Sequence, residues 1–228
     1  MAHIQIDFPT QAFDSVLGLL FRSARVFFGN LPFLAAVTLV VFLPGKLALA
    51  LASYVLNIPT DGVLSYLLMD SSDLILSALV IPAAIYGLVT KFRTGRTAPL
   101  SESLRWGRRQ WGKTLWNKFK VEVTVTLWGA LLLVPGVVAM VKLIFTDAIV
   151  AIEADRENNV LQASRVLSQG HRWRIFFVLL PMMILDLAGT FVVLARVQGL
   201  THSRIALALV DSAFSVGGQW TTVIVLLL

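Results

Sequence analysis

From Arg25 to Asp61 the chain carries one charged residue, Lys46. The apolar part, residues 31–56, exceeds the roughly 20 residues that an α-helix needs to cross a bilayer. In hydrocarbon every backbone polar group must be satisfied internally, so such a chain folds as helices or as a closed barrel. Barrel strands alternate apolar and polar residues, whereas here the apolar residues are contiguous. Further runs cover residues 74–90, 121–152, 175–197 and 205–228. The expected fold is all-α: a single polytopic membrane domain over 1–228, with about four to six membrane-embedded helices plus interfacial amphipathic helices. Composition agrees. Hydrophobic residues make up 57% of the chain and charged residues 14%, against about 25% charged in soluble domains. That balance excludes an ordinary soluble enzyme and a disordered chain.

Residues 11–28 repeat with a helical period. Phe13, Val16, Leu17, Leu20, Phe21, Ala24, Phe27 and Phe28 share one face, and Asp14, Ser15, Arg22 and Arg25 the other. This pattern predicts a helix lying in the membrane interface; the alternative is a helix packed on its own protein. Gly29, Asn30 and Pro32 supply a corner into the first span. No base precedes Arg22, so no signal peptide is expected.

Residues 91–120 hold nine Lys or Arg and one acid, Glu102, while residues 57–73 hold Asp61, Asp70 and Asp73 and no base. The positive-inside rule then places the basic segment and the N-terminus in the cytoplasm and the acidic loop outside. Within the basic segment, residues 99–119 read as a second interfacial helix. Ser101 is its expected N-cap, and Leu100, Leu104, Trp111, Leu115 and Phe119 form its apolar stripe. Residues 121–152 are broken at Pro135-Gly136. They form either one kinked span or a hairpin with both ends inside; the basic residues of 153–174 favour the hairpin. A Pro-Gly pair also ends the run at Leu43-Pro44-Gly45, 91 residues earlier, a faint internal repeat.

From 131 to 175 the chain reads LLLVPGVVAMVKLIFTDAIVAIEADRENNVLQASRVLSQGHRWRI. At Pro135, Gly136, Glu153, Ala163, Ser164, Leu167, Gly170 and Trp173 this resembles the membrane domain of bacterial glycerophosphoryl diester phosphodiesterases and related uncharacterised polytopic inner-membrane proteins. The resemblance implies a bacterial inner-membrane fold with embedded amphipathic helices and little chemistry. In those enzymes catalysis belongs to a separate barrel domain. No polar segment here exceeds about 30 residues, against roughly 200 or more for such a barrel.

Asp186 and Asp211 interrupt apolar runs, and an ionisable residue within a span is a functional candidate by default. The plainer reading pairs each with Lys46, Lys142 or a freed backbone N–H. Lys46 and Lys142 each follow a Pro-Gly break, and their stems can snorkel to an interface. Gly217-Gly218 is a candidate packing notch, and Thr221 and Thr222 can bond back to their own helix. Arg105, Arg108, Arg109 and Lys113 are candidates for anionic lipid headgroups, with topology as the plainer explanation. The chain has no Cys, and His3, His171 and His202 share no ligand spacing, so no metal or cofactor is expected. Nucleotide-binding and hydrolase motifs are missing from the sequence. The expected function is noncatalytic: a membrane protein that organises or binds lipid, a partner membrane protein or a second copy of itself, without nucleic acid. The alternative is a transporter or permease component for a small or lipidic substrate.

Overall fold

The computed structural model describes residues 16–58, 63–152, 159–181, 183–184 and 204–228. Every regular element among them is helical: α1 (Val16–Gly29), α2 (Leu31–Val55), α3 (Val63–Thr94), α4 (Leu100–Leu131), α5 (Leu133–Leu143), α6 (Thr146–Ile152), α7 (Val160–Leu167), α8 (172–181) and α9 (Arg204–Leu227). Four segments, Leu31–Val55, Leu67–Thr94, Val134–Ile152 and Ala208–Leu227, are long and apolar enough to cross a membrane. The protein is an all-α polytopic membrane protein. Residues 11–15 of the N-terminal amphipathic pattern, Glu153, Asp186 and the connection around residue 200 lie outside the described residues.

α3 is the axis of the bundle, and its neighbours follow from its residues. Leu76 packs against Gly45 of α2, and Gly87 lies against Phe33 of the same helix. Leu79 and Ala83 meet Gly107 of α4. Ala84 and Leu88 cluster with Val223 of α9, and Ile85 with Ala148 and Ala151 of α6. From 78 to 88 every residue is buried or half-buried, and a helix stretch covered on all sides is apolar all round, so that stretch shows no amphipathic stripe. α3 also begins at Val63, eleven residues before the expected start at 74. The acidic stretch is therefore mostly helix, and Asp70 and Asp73 belong to α3. Lys46 of α2 pairs with Asp73 there.

Asn30 makes the corner between α1 and α2. Its backbone N–H and its side-chain amide both donate to the Val26 carbonyl, and Lys91 Nζ donates to its Oδ1 at 2.5 Å. α1 buries Leu19, Ser23 and Phe27 and packs them on α9. Phe27 stacks on Trp220, whose Nε1–H donates to Ser23 Oγ at 3.0 Å. The opposite edge leaves Leu17, Phe21 and Phe28 exposed. One part of the expected apolar face is thus taken by the protein itself and the other faces outward.

α4 departs most from expectation. It continues to Leu131, and Pro99 rather than Ser101 is its N-cap. Its buried stripe is Ser103, Gly107, Gln110, Thr114 and Asn117, while Trp111 and Phe119 of the expected apolar stripe are exposed. In a membrane apolar surface gains nothing by leaving lipid, and helices associate through small and polar residues that let backbones approach. A Cβ at Gly107 would lie 2.5 Å from the Leu79 carbonyl oxygen.

The chain reverses at Leu132, whose backbone is extended, rather than at Pro135-Gly136. Pro135 sits in the first turn of α5, where its missing N–H costs nothing. Gly136 instead serves close packing, since a Cβ there would meet Gly129 Cα at 2.7 Å. A second interruption at residues 144–145 separates α5 from α6. The buried Ser164 of α7 fills it: Ser164 Oγ donates to the Lys142 carbonyl at 2.9 Å and accepts the Phe145 N–H at 3.2 Å.

Candidate functional site

Two charged features stand out among the described residues. The first joins α2, α3 and α9. Lys46 Nζ lies 2.5 Å from Asp73 Oδ1 and 2.7 Å from Asp211 Oδ2. The Lys46 side chain is 3% exposed and the two carboxylates are 44% and 42% exposed. Lys46 therefore does not snorkel. It is held inside the bundle because two acids from other helices converge on it. Burying an ammonium without such partners would be prohibitive.

Depth follows from helix rise. Lys46 is about 22 Å along α2 from Leu31, and Asp73 about 25 Å along α3 from Thr90, at about 1.5 Å per residue. Against a hydrocarbon core of about 30 Å, the triad sits in the third of the span farthest from the α1–α2 corner. It carries one carboxylate in excess. The sequence admits the Lys46–Asp211 pairing as one option but places Asp73 in the acidic loop. The signal was its place ahead of the apolar run on the same helix.

Among the described residues, the other candidates do not join this triad. The Lys142 carbonyl is held by Ser164, and the nearby acid Asp147 pairs with Lys118 at 3.4 Å. Gly217 and Gly218 are exposed, and a Cβ at either would meet nothing within 4 Å, so they form no packing notch among the described residues. Thr222 Oγ1 donates to Gln219 Oε1 rather than to its own backbone. No group of three or more metal-ligating side chains occurs among the described residues.

The second feature is the outward face of α4. Arg105, Arg108 and Arg109 are exposed and Lys113 is half-buried. The three arginines lie opposite the stripe that contacts α3, and Lys113 lies at its flank. Arg109 stands over the Trp106 ring at 5.9 Å, and Lys120 over Trp116 at 5.0 Å. Three contacts fix the register of α4 against α3. Tyr86 OH donates to Glu102 Oε1, Gly107 meets Leu79 and Ala83, and Trp111 Nε1–H donates to the Ile75 carbonyl at 3.0 Å. The helices are antiparallel, and the basic face runs beside the apolar part of α3. Beyond it, Trp116, Phe119, Val123, Leu127 and Trp128 are exposed, so the face turns from basic to apolar along one helix. No protein-family model, curated protein or solved structure matches the chain.

Proposed function

We propose that this is a noncatalytic protein of the bacterial inner membrane, with its N-terminus in the cytoplasm, that binds and organises membrane lipid. The observation that carries the reading is the α4 face, on which Arg105, Arg108, Arg109 and Lys113 stand beside Trp106 and give way to apolar side chains toward Leu131. Guanidinium groups offer planar donors to phosphate oxygens. Each base near an anionic leaflet contributes about 1 kcal/mol. The test is native mass spectrometry of protein extracted from one membrane. Gln at all four positions is expected to reduce copurifying anionic lipid. Equal retention would leave the charges as orientation signals.

The triad favours a second reading, a transport component. Buried charge within spans commonly marks an ion or proton path, and the excess carboxylate of Asp73 and Asp211 is partly open. Asp211→Asn would then abolish a pH-gradient-driven flux in proteoliposomes while the protein still folds; folding loss without any wild-type flux would reject it.

A further inference from the structure

We propose that the basic face of α4 draws phospholipid headgroups into the bilayer and so lets lipid cross between leaflets without an energy source. This rests on the headgroup-binding reading above.

Gly45 and Phe33 of α2 lie against Leu76 and Gly87 of α3, and Trp111 and Glu102 of α4 bond to Ile75 and Tyr86 of the same helix. Residues 33–45 of α2 and 102–111 of α4 therefore occupy the same height. At that height α2 exposes Leu39 and Val40, whereas α4 exposes Arg105, Arg108 and Arg109. Hydrocarbon that covers α2 would meet guanidinium groups on α4.

Snorkelling does not remove the conflict. The Trp111–Ile75 bond sets Arg109 level with about residue 77 of α3, roughly 20 Å of helix from Lys91, the first base of α3. That is beyond the middle of a core about 30 Å thick. Arg105, level with about residue 82, lies close to the middle itself, and an arginine side chain spans only a fraction of the way from there to either boundary. Bilayer thinning and water defects are the usual response to a charge at this depth. Here several bases follow one another up the helix, and Arg109 and Lys120 are stacked on tryptophans. The face is rigidly held, because α4 contacts α3 through small side chains. A phosphate can pass along it while its acyl chains stay in lipid. The ligand class is an anionic phospholipid, chosen by charge complementarity.

The test reconstitutes the full chain into vesicles of mixed phosphatidylcholine and phosphatidylglycerol carrying a trace of headgroup-labelled fluorescent phosphatidylglycerol. Dithionite, added outside, bleaches only the outer leaflet. With wild-type protein the bleached share is expected to rise from about half toward completeness, with no pH or ion gradient. Arg105→Leu, Arg108→Leu and Arg109→Leu together should return it to about half, and Arg→Lys at the same sites should keep most of the movement. Circular dichroism of each variant establishes that it is folded. Wild-type protein that retains phosphatidylglycerol on native mass spectrometry yet bleaches only half would overturn this inference and leave the headgroup reading standing. Loss of retention would remove both. Unchanged movement in a folded triple-Leu variant would also overturn it, as would movement in neither form together with capture of an acidic protein on this face.

Discussion

Lys46 lies 2.7 Å from Asp211, its charge enclosed where α2 meets α9. Asp73 of α3 completes the contact, so one ammonium ties α2 to its neighbour in the chain and to the C-terminal helix. Removing one partner of a buried pair costs about 3–5 kcal/mol. Because both acids here are partly open, about 2 kcal/mol is expected for Lys46→Met after allowing for solvent relief. Either Asp→Asn alone should cost less, since the other acid remains. Lys46→Met combined with Asp73→Asn and Asp211→Asn should recover most of the loss. Thermal unfolding in mild detergent reads all four. An unchanged midpoint for Lys46→Met would show that the triad does not hold the helices.

Two glycines of α4 provide an internal comparison. Gly107→Ala should destabilise by about 1–3 kcal/mol, because the new methyl would press on the Leu79 carbonyl oxygen and on Ala83. Gly112→Ala, where a Cβ would meet nothing within 4 Å, should stabilise by up to about 1 kcal/mol through helix propensity. Thermal midpoints moving in the same direction would contradict the close α3–α4 contact.

Ser103 and Ser164 are both fully buried and should respond with opposite signs. Among the described residues Ser103 Oγ has no hydrogen-bond partner, so Ser103→Ala should raise stability by about 1 kcal/mol. Ser164 bridges the break between α5 and α6, and Ser164→Ala would leave the Phe145 N–H and the Lys142 carbonyl without that partner. A loss of about 1–3 kcal/mol is expected. Denaturant titration of the two variants checks the sign difference.

Trp220→Phe keeps the stacking surface for Phe27 but removes the donor to Ser23. The expected cost is about 1 kcal/mol, felt as looser docking of α1 on α9. Limited proteolysis after Arg22 or Arg25 should become faster. Cleavage at the wild-type rate would mean that burial of Leu19 and Phe27 alone holds α1.

Orientation is tested with single cysteines in a chain that has none of its own. Arg96→Cys lies in the turn between α3 and α4, and Leu56→Cys at the far end of α2. An impermeant thiol reagent applied to intact cells should label position 56 and spare position 96. The reverse pattern would invert the proposed topology.

The long apolar runs by themselves determined a helical membrane fold, because a backbone in hydrocarbon has so few ways to satisfy its hydrogen bonds. They also located α2 and α9 closely, along with the Asn30 corner. The two Pro-Gly pairs show where local reading stopped. Pro44-Gly45 lies inside an unbroken α2, and Gly45 admits Leu76 from α3. Pro135-Gly136 follows a reversal set three residues earlier at Leu132, and Gly136 admits Gly129. The same dipeptide is continuous helix in one place and the start of a helix in the other, because the packing partner differs. Asp73 and the inner face of α4 were hidden for the same reason. In water, burial follows hydrophobicity and can be read from periodicity. In lipid the outside is as apolar as the inside, so which face turns inward depends on shape and on paired charge. Only the tertiary structure, by bringing Asp73 and Asp211 to Lys46 and Gly107 to Leu79, decided that.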